Sequence, residues 1–141
     1  VDAVSRKEFW EMLKKLKEKG ITILVSTPYM DEAELCDRVA LLQNGKILSV
    51  NTPAGVVADF RKPLLAVKAR AMHPLLDVLK QKETVANAYP FGEFHHAVMK
   101  DEQAAATLED ELIASGIEGL SVQKAVANIE DCFIALMKSS Y

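Results

Sequence analysis

Ile21-Thr22-Ile23-Leu24-Val25 is a five-residue run in which four members are β-branched and four are aliphatic. A short run this apolar, with no polar alternation, predicts a strand covered on both faces, as in a parallel sheet layered between helices. Upstream, Ser5-Arg6-Lys7-Glu8 has the spacing of a capping box, Phe9, Leu13 and Leu16 recur at helical intervals, and Gly20 is placed as a stop. A helix from about Arg6 to Lys19 feeding directly into a strand implies an α/β layer. One strand does not make a sheet, so its neighbours are expected from residues preceding Val1. The opening Val1-Asp2-Ala3-Val4-Ser5-Arg6 lacks an initiating Met and any charged-then-apolar signal layout, and reads as a cut.

Beyond the run, Asp31-Glu32-Ala33-Glu34-Leu35-Cys36 reads as an acidic helical turn. The stretches Arg38 to Leu42 and Lys46 to Val50 flank Asn44-Gly45, the strongest short hairpin signal. Pro53 suits a helix start leading into Ala54 to Phe60, and Arg61-Lys62-Pro63 reads as a junction, because a residue before proline is pushed out of the helical region. A domain boundary is expected near Lys62, giving domains 1–62 and 63–141. The second domain reads as strand Leu64 to Ala69, helix His73 to Lys82, strand Val85 to Tyr89, a turn at Pro90 to Glu93 and strand Phe94 to Met99. A helix Glu102 to Ser115, an alternating stretch Leu120 to Val126 and a last helix opened by Asn128-Ile129-Glu130-Asp131 complete it. The order is βαββαβ plus a terminal helix, that of the ferredoxin-like plait, which alone says little about function.

With 141 residues and 50% hydrophobic positions, the chain can bury one ordinary core or two small ones. Its 17 basic and 20 acidic residues are interspersed and give a net charge of −3, which supplies no basic field for a nucleic-acid backbone. No nucleic-acid partner is expected. The longest apolar stretch falls far short of the roughly 20 residues that span a bilayer. Cys36 and Cys132 lack CxxC spacing and read as buried reduced thiols. Adjacent His95 and His96 on a strand point to opposite faces and cannot easily share one metal. His73 before Pro74 reads as a helix cap, and all three histidines read as structural. Met72, Met99 and Met137 read as core filling.

Several strings coincide in order. Val1-Asp2-Ala3-Val4-Ser5-Arg6 follows G-[LV]-D-P-x-[SA]-R, with Ala3 in place of proline. Ile23-Leu24-Val25-Ser26-Thr27-Pro28-Tyr29-Met30-Asp31-Glu32-Ala33-Glu34 follows I-L-[VL]-[ST]-[ST]-H-x-[ML]-[DE]-E-A-E. Cys36-Asp37-Arg38-Val39-Ala40-Leu41-Leu42 and Asn44-Gly45-Lys46-Ile47 follow C-D-R-[VI]-A-[LI] and x-G-[KR]-[IL]. In these strings the chain, from Val1 to about Phe60, resembles the last third of an ABC-transporter ATPase domain, particularly subunits serving ABC-2-type exporters. Near the other end, Ile129-Glu130-Asp131-Cys132-Phe133-Ile134-Ala135-Leu136 resembles the L-E-D-V-F-[IL]-x-L terminus of the same subunits.

The resemblance implies the truncated end of a RecA-like ATPase domain followed by an accessory C-terminal domain that serves dimerisation or regulation. It implies ATP and Mg²⁺ as cofactors of a longer parent, with a membrane permease subunit and a second ATPase domain as partners. It also implies a cytoplasmic position, peripheral to the inner face of the membrane. Asp2 matches the D-loop aspartate, which couples two composite ATP sites; read without the resemblance it is an acid near a helix start. Pro28 stands where the family has its switch histidine, near the γ-phosphate. Proline has no imidazole and no N–H, so it can neither donate to phosphate nor order a water. Two readings stay open: an incidental change, or a naturally degenerate site whose partner site supplies the turnover. The sequence contains no GxxxxGK[ST], no LSGGQ-like signature and no apolar run ending in Asp-Glu. Phosphoryl transfer needs a phosphate cradle, a held Mg²⁺ and a positioned water. The chain alone is therefore expected to have no catalytic residue, no metal site and no ATPase activity. The alternative is a stand-alone ferredoxin-like regulatory or ligand-binding module.

Overall fold

In the computed structural model, which describes residues 2–139, the first helix starts from Asp2 rather than Ser5. The Asp2 carboxylate accepts the Ser5 backbone N–H at 2.7 Å, satisfying one of the orphan donors at the start of α1 (Ala3–Glu18). The Ser5–Glu8 spacing thus falls inside the helix, three residues after the cap. Lys15 and Lys17 in the last turn complement the helix dipole, and Gly20, at φ +85°, turns the chain back. Arg6, Trp10, Leu13 and Leu16 form a half-buried stripe at helical spacing, while Phe9 stays 46% exposed with its ring edge-on to Trp10.

The strand expected at Ile21 to Val25 is not formed. A strand exists only through a ladder to a neighbour, and among the described residues both sheets are built from later segments. Ile23, Val25 and Thr27 are half-buried, whereas Leu24 is 98% exposed. One side of the run is therefore sheltered and the other is bare.

The chain divides between Met30 and Asp31 into two compact units. A short helix, α2 (Met30–Ala33), precedes β1 (Val39–Gln43) and β2 (Lys46–Asn51), which form their own antiparallel pair. Asn44 and Gly45 join them with φ of 51° and 74°, the two positive values a two-residue type I′ turn demands. Val39 and Leu41 are buried; Leu42 and Ile47 on the other side are exposed. Then α3 (Pro53–Ala58) follows, with the Thr52 hydroxyl accepting the Gly55 N–H at 3.0 Å and Pro53 in the first turn.

The remaining elements are β3 (Leu64–Lys68), α4 (Met72–Gln81), β4 (Val85–Phe91), β5 (Phe94–Met99), α5 (Glu102–Ala114), β6 (Ser121–Lys124) and α6 (Ile129–Ser139). They form a four-stranded sheet in the order β4-β5-β3-β6, with every neighbouring pair antiparallel. The chain is mixed α and β, with two antiparallel sheets. Leu65, Val67, Ala97 and Met99 supply one sheet face of a core completed by Leu75 and Leu79 of α4 and Leu108 and Leu112 of α5. On the reverse face, Leu64, Ala66 and Val98 are also buried, as are Ile129 and Cys132 of α6. The central strand β3 thus has four consecutive buried residues and no solvent face.

β4 runs two residues past the expected end at Tyr89 and includes Pro90. Proline is tolerated because β4 is an edge strand, so its missing N–H costs no ladder bond. The turn shrinks to Gly92-Glu93, with Gly92 at φ +61°. His73 lies within the first turn of α4, not at its cap; it pairs with Asp77 at 3.5 Å. Leu108 is fully buried, so Leu108→Ala is expected to destabilise the fold by about 2–5 kcal/mol in urea denaturation. Ile113→Ala, on the exposed side of the same helix, should stay within about 0.5 kcal/mol of the parent.

Candidate functional site

Asp2 and Pro28 lie in the same unit and are drawn to the same end of it. Asp2 caps α1, and one turn on, the Arg6 guanidinium sits over the Tyr29 ring, 4.5 Å from its centroid. Tyr29 is the residue after Pro28, and its N–H donates to the Thr27 hydroxyl at 3.1 Å, closing a small turn around the proline. Asp2 is exposed, and its carboxyl is held below the usual carboxylate value, chiefly by the hydrogen bond from the Ser5 backbone. At this end Asp2 is committed to its cap, Arg6 to an aromatic face, Thr27 to its own turn, and Pro28 has no N–H. That donor set does not fit a Mg²⁺-bound triphosphate, so no chemical step is derived through it.

A second constellation lies between β4, β5 and α6. Asp131, 1% exposed, stands in the first turn of α6 and faces the sheet. The Tyr89 hydroxyl donates to its Oδ1 at 2.5 Å, and His96 Nδ1 meets the same oxygen at 2.7 Å. A carboxylate only accepts, so the ring carries its proton on Nδ1. The other oxygen accepts the Asn128 N–H at 3.1 Å, while Asp131 N–H donates back to Asn128 Oδ1 at 3.1 Å. This reciprocal pair is a capping box with aspartate in the place of the usual Glu or Gln. Phe91 stacks on the His96 ring with centroids 3.9 Å apart and planes within 9°. At the far end of α6, Lys138 Nζ donates to the Ala86 carbonyl, at the register shift that frees this group from the β4–β5 ladder.

Burial raises the Tyr89 hydroxyl well above its ordinary value, and the hydrogen bond to Asp131 adds to the rise. Burial likewise pushes the Cys132 thiol up to about 11, with the Asp131 charge contributing. Neither is a poised acid or nucleophile. Asp131 is sealed from solvent and both its oxygens accept hydrogen bonds, so this constellation is a joint rather than a reactive centre. His95 points the other way and donates from Nε2 to the Met72 carbonyl at 2.7 Å. Among the described residues no group of three His, Cys, Asp or Glu could hold a metal ion. Cys36 is half-buried rather than buried; its thiol is raised by burial and then by Asp37 and Glu32. In the sequence Asp131 shows only as an acid at the opening of the last helix, with the Asn128-x-x-Asp131 spacing of a cap; its sheet partners do not show.

No family model matches the chain. Among curated proteins, it is 47% identical over 59 residues to the probable multidrug ABC transporter ATP-binding protein YbhF of Escherichia coli K12, a match covering 42% of this chain and 10% of that protein. Over 96% of its length it is 29% identical to the Nod factor export ATP-binding protein I of Ralstonia nicotianae, covering 43% of that relative. Its homologues are ABC-transporter ATP-binding proteins. A third, the linearmycin resistance ATP-binding protein LnrL of Bacillus subtilis, is 27% identical over 96% of the chain and is covered to 46%. The chain thus spans less than half the length of these ABC-transporter relatives. Among the described residues no helix is long and apolar enough to cross a membrane.

Asp131→Ala would leave the His96 ring and the Tyr89 hydroxyl without their acceptor; a loss of about 3–5 kcal/mol is expected in urea denaturation. A loss below about 1 kcal/mol would show that the joint does not hold α6. The two thiols should also separate kinetically. At pH 8 a disulfide reagent is expected to modify half-buried Cys36 at least ~10 times faster than buried Cys132, whose thiolate forms only as pH approaches 11.

Proposed function

We propose that this chain is the part of an ABC exporter's ATP-binding subunit that runs from the D-loop, through the switch region, to an appended C-terminal domain. The observation that carries this reading is homology to ABC-transporter ATP-binding proteins along 96% of the chain, together with the D-loop, switch and hairpin strings in their family order. The names of the relatives, multidrug transport, Nod factor export and linearmycin resistance, support export as the direction. In this reading residues 1–62 close a RecA-like ATPase domain, and the backbone of Ile21 to Val25, without a ladder partner among the described residues, is where strands of the whole subunit pair. Residues 63–141 are a ferredoxin-like accessory domain. The βαββαβ order and the strand order β4-β5-β3-β6 support this assignment.

ATP and Mg²⁺ are then held by segments of the whole subunit that carry the phosphate loop, and energy is passed to a membrane permease at the cytoplasmic face. Asp2 sits where the D-loop couples two composite sites. Pro28 replaces the switch histidine, so the site it borders binds nucleotide but hydrolyses poorly, and an intact partner site carries most of the turnover. The accessory domain holds no reactive constellation, and its role is dimerisation or regulation.

The test uses the whole subunit. Restoring the imidazole by Pro28→His should raise ATP turnover by ~10-fold or more, the scale of a positioned proton-handling group. Unchanged turnover would contradict the degenerate-site reading. Removing residues 63–141 should weaken dimerisation or alter ATPase activity; no change in either would remove the accessory role.

A further inference from the structure

β6 pairs with β3 so that Lys124 lies opposite Leu65, and the Ala125 N–H reaches the Leu64 carbonyl at 2.9 Å. This pairing draws the end of β6 to the Arg61-Lys62-Pro63 link that leads from α3 into β3. Between them, closed on one side by the first turn of α5, is a cavity of about 330 Å³. Arg61, Lys62 and Lys124 line it, against a single acid, Glu102. All three cations are exposed, and none makes an ion pair among the described residues. Elsewhere in the same unit Lys68, Arg70 and Lys82 each reach a glutamate within 4 Å.

The fold therefore gathers three like charges from two distant stretches of a chain whose net charge is −3, against the one carboxylate of Glu102. Their mutual repulsion opposes folding, and a bound anion would reverse its sign. The N-terminal end of α5 adds nothing for an anion, because Asp101 already caps it through the Ala104 N–H and Glu102 stands in its first turn, so the attraction rests on the three cations. The remaining wall is apolar, with Phe60 and Val126 among its members; Val126 is 89% exposed. A cationic rim over an apolar wall selects a ligand that carries both features.

We propose that this cavity binds a small amphiphilic anion, a carboxylate or phosphate monoester on a short apolar body. The site lies apart from Asp2 and Pro28 in the chain and does not rest on the ATPase reading. The test is an NMR titration of the ¹⁵N-labelled 141-residue chain with hexyl phosphate, inorganic phosphate and hexanol. Hexyl phosphate is expected to saturate, with shifts concentrated on residues 60–65 and 124–127. Inorganic phosphate should bind at least ~10-fold more weakly, and hexanol should not saturate at this position. Arg61→Ala and Lys124→Ala, both at exposed positions, should each weaken hexyl phosphate by roughly 5-fold while leaving the rest of the spectrum unchanged. Shifts that map elsewhere, equal binding of hexanol, or unchanged affinity in the two variants would overturn the site. Inorganic phosphate binding as tightly as hexyl phosphate would overturn the apolar part of the assignment.

Discussion

A carboxylate removed from water must find donors or give up its charge, and Asp131 is 1% exposed. Three donors meet it: the Tyr89 hydroxyl, the His96 ring and the Asn128 backbone. Two come from the sheet and one from the start of α6, so the charge cannot be satisfied unless the helix lies where it does. That requirement fixes the helix more sharply than apolar contact would, because residues 133–137 of α6 are only half-buried. It also reaches beyond the helix. With α6 in place, Leu64, Ala66 and Val98 are buried on the face opposite the main core.

The main core and this second face meet in β3. Its side chains alternate between α4 and α5 on one side and the α6 side on the other, and Leu64 to Val67 are all buried. An antiparallel strand usually leaves one face to solvent; here helices on both sides remove that option. β4 and β6, at the edges, carry the irregularities that a central strand could not: Pro90, the register shift beside Ala86, and a four-residue length. The cation-lined cavity arises at the same place, where β6 ends beside the entrance to β3.

Local chemistry was legible in the sequence. Asn44-Gly45 specified its turn, Pro53 its helix start, and apolar periodicity the order of elements from Leu64 to Lys124. The opposed directions of His95 and His96 followed from strand alternation alone. What could not be read was whatever depends on a distant partner. Ile21 to Val25 has the composition of a covered strand, yet pairing is a property of two segments, and no described segment pairs with it. Ser5 and Glu8 satisfy a capping pattern that Asp2 pre-empts by lying one turn earlier. Asp131 reads as an ordinary first-turn acid, and nothing local signals that Tyr89 and His96, 42 and 35 residues away, converge on it. Asp2 and Pro28, far apart in the chain, come to one end of their unit through Arg6 and Tyr29, and there too only the fold made the connection visible.

The functional account follows from what these residues are already doing. Asp2, Arg6 and Thr27 are engaged in capping, stacking and turn formation, Pro28 has no N–H, and the sequence carries no phosphate loop. In the four-stranded sheet Tyr89 and His96 are committed to the Asp131 joint. On the proposed reading, the chain contributes to a nucleotide site of the whole subunit without containing one. Calorimetric titration of Mg·ATP into the 141-residue chain tests this most directly. No saturable binding is predicted at concentrations that saturate the whole ATP-binding subunit; stoichiometric binding by the chain alone would contradict the account.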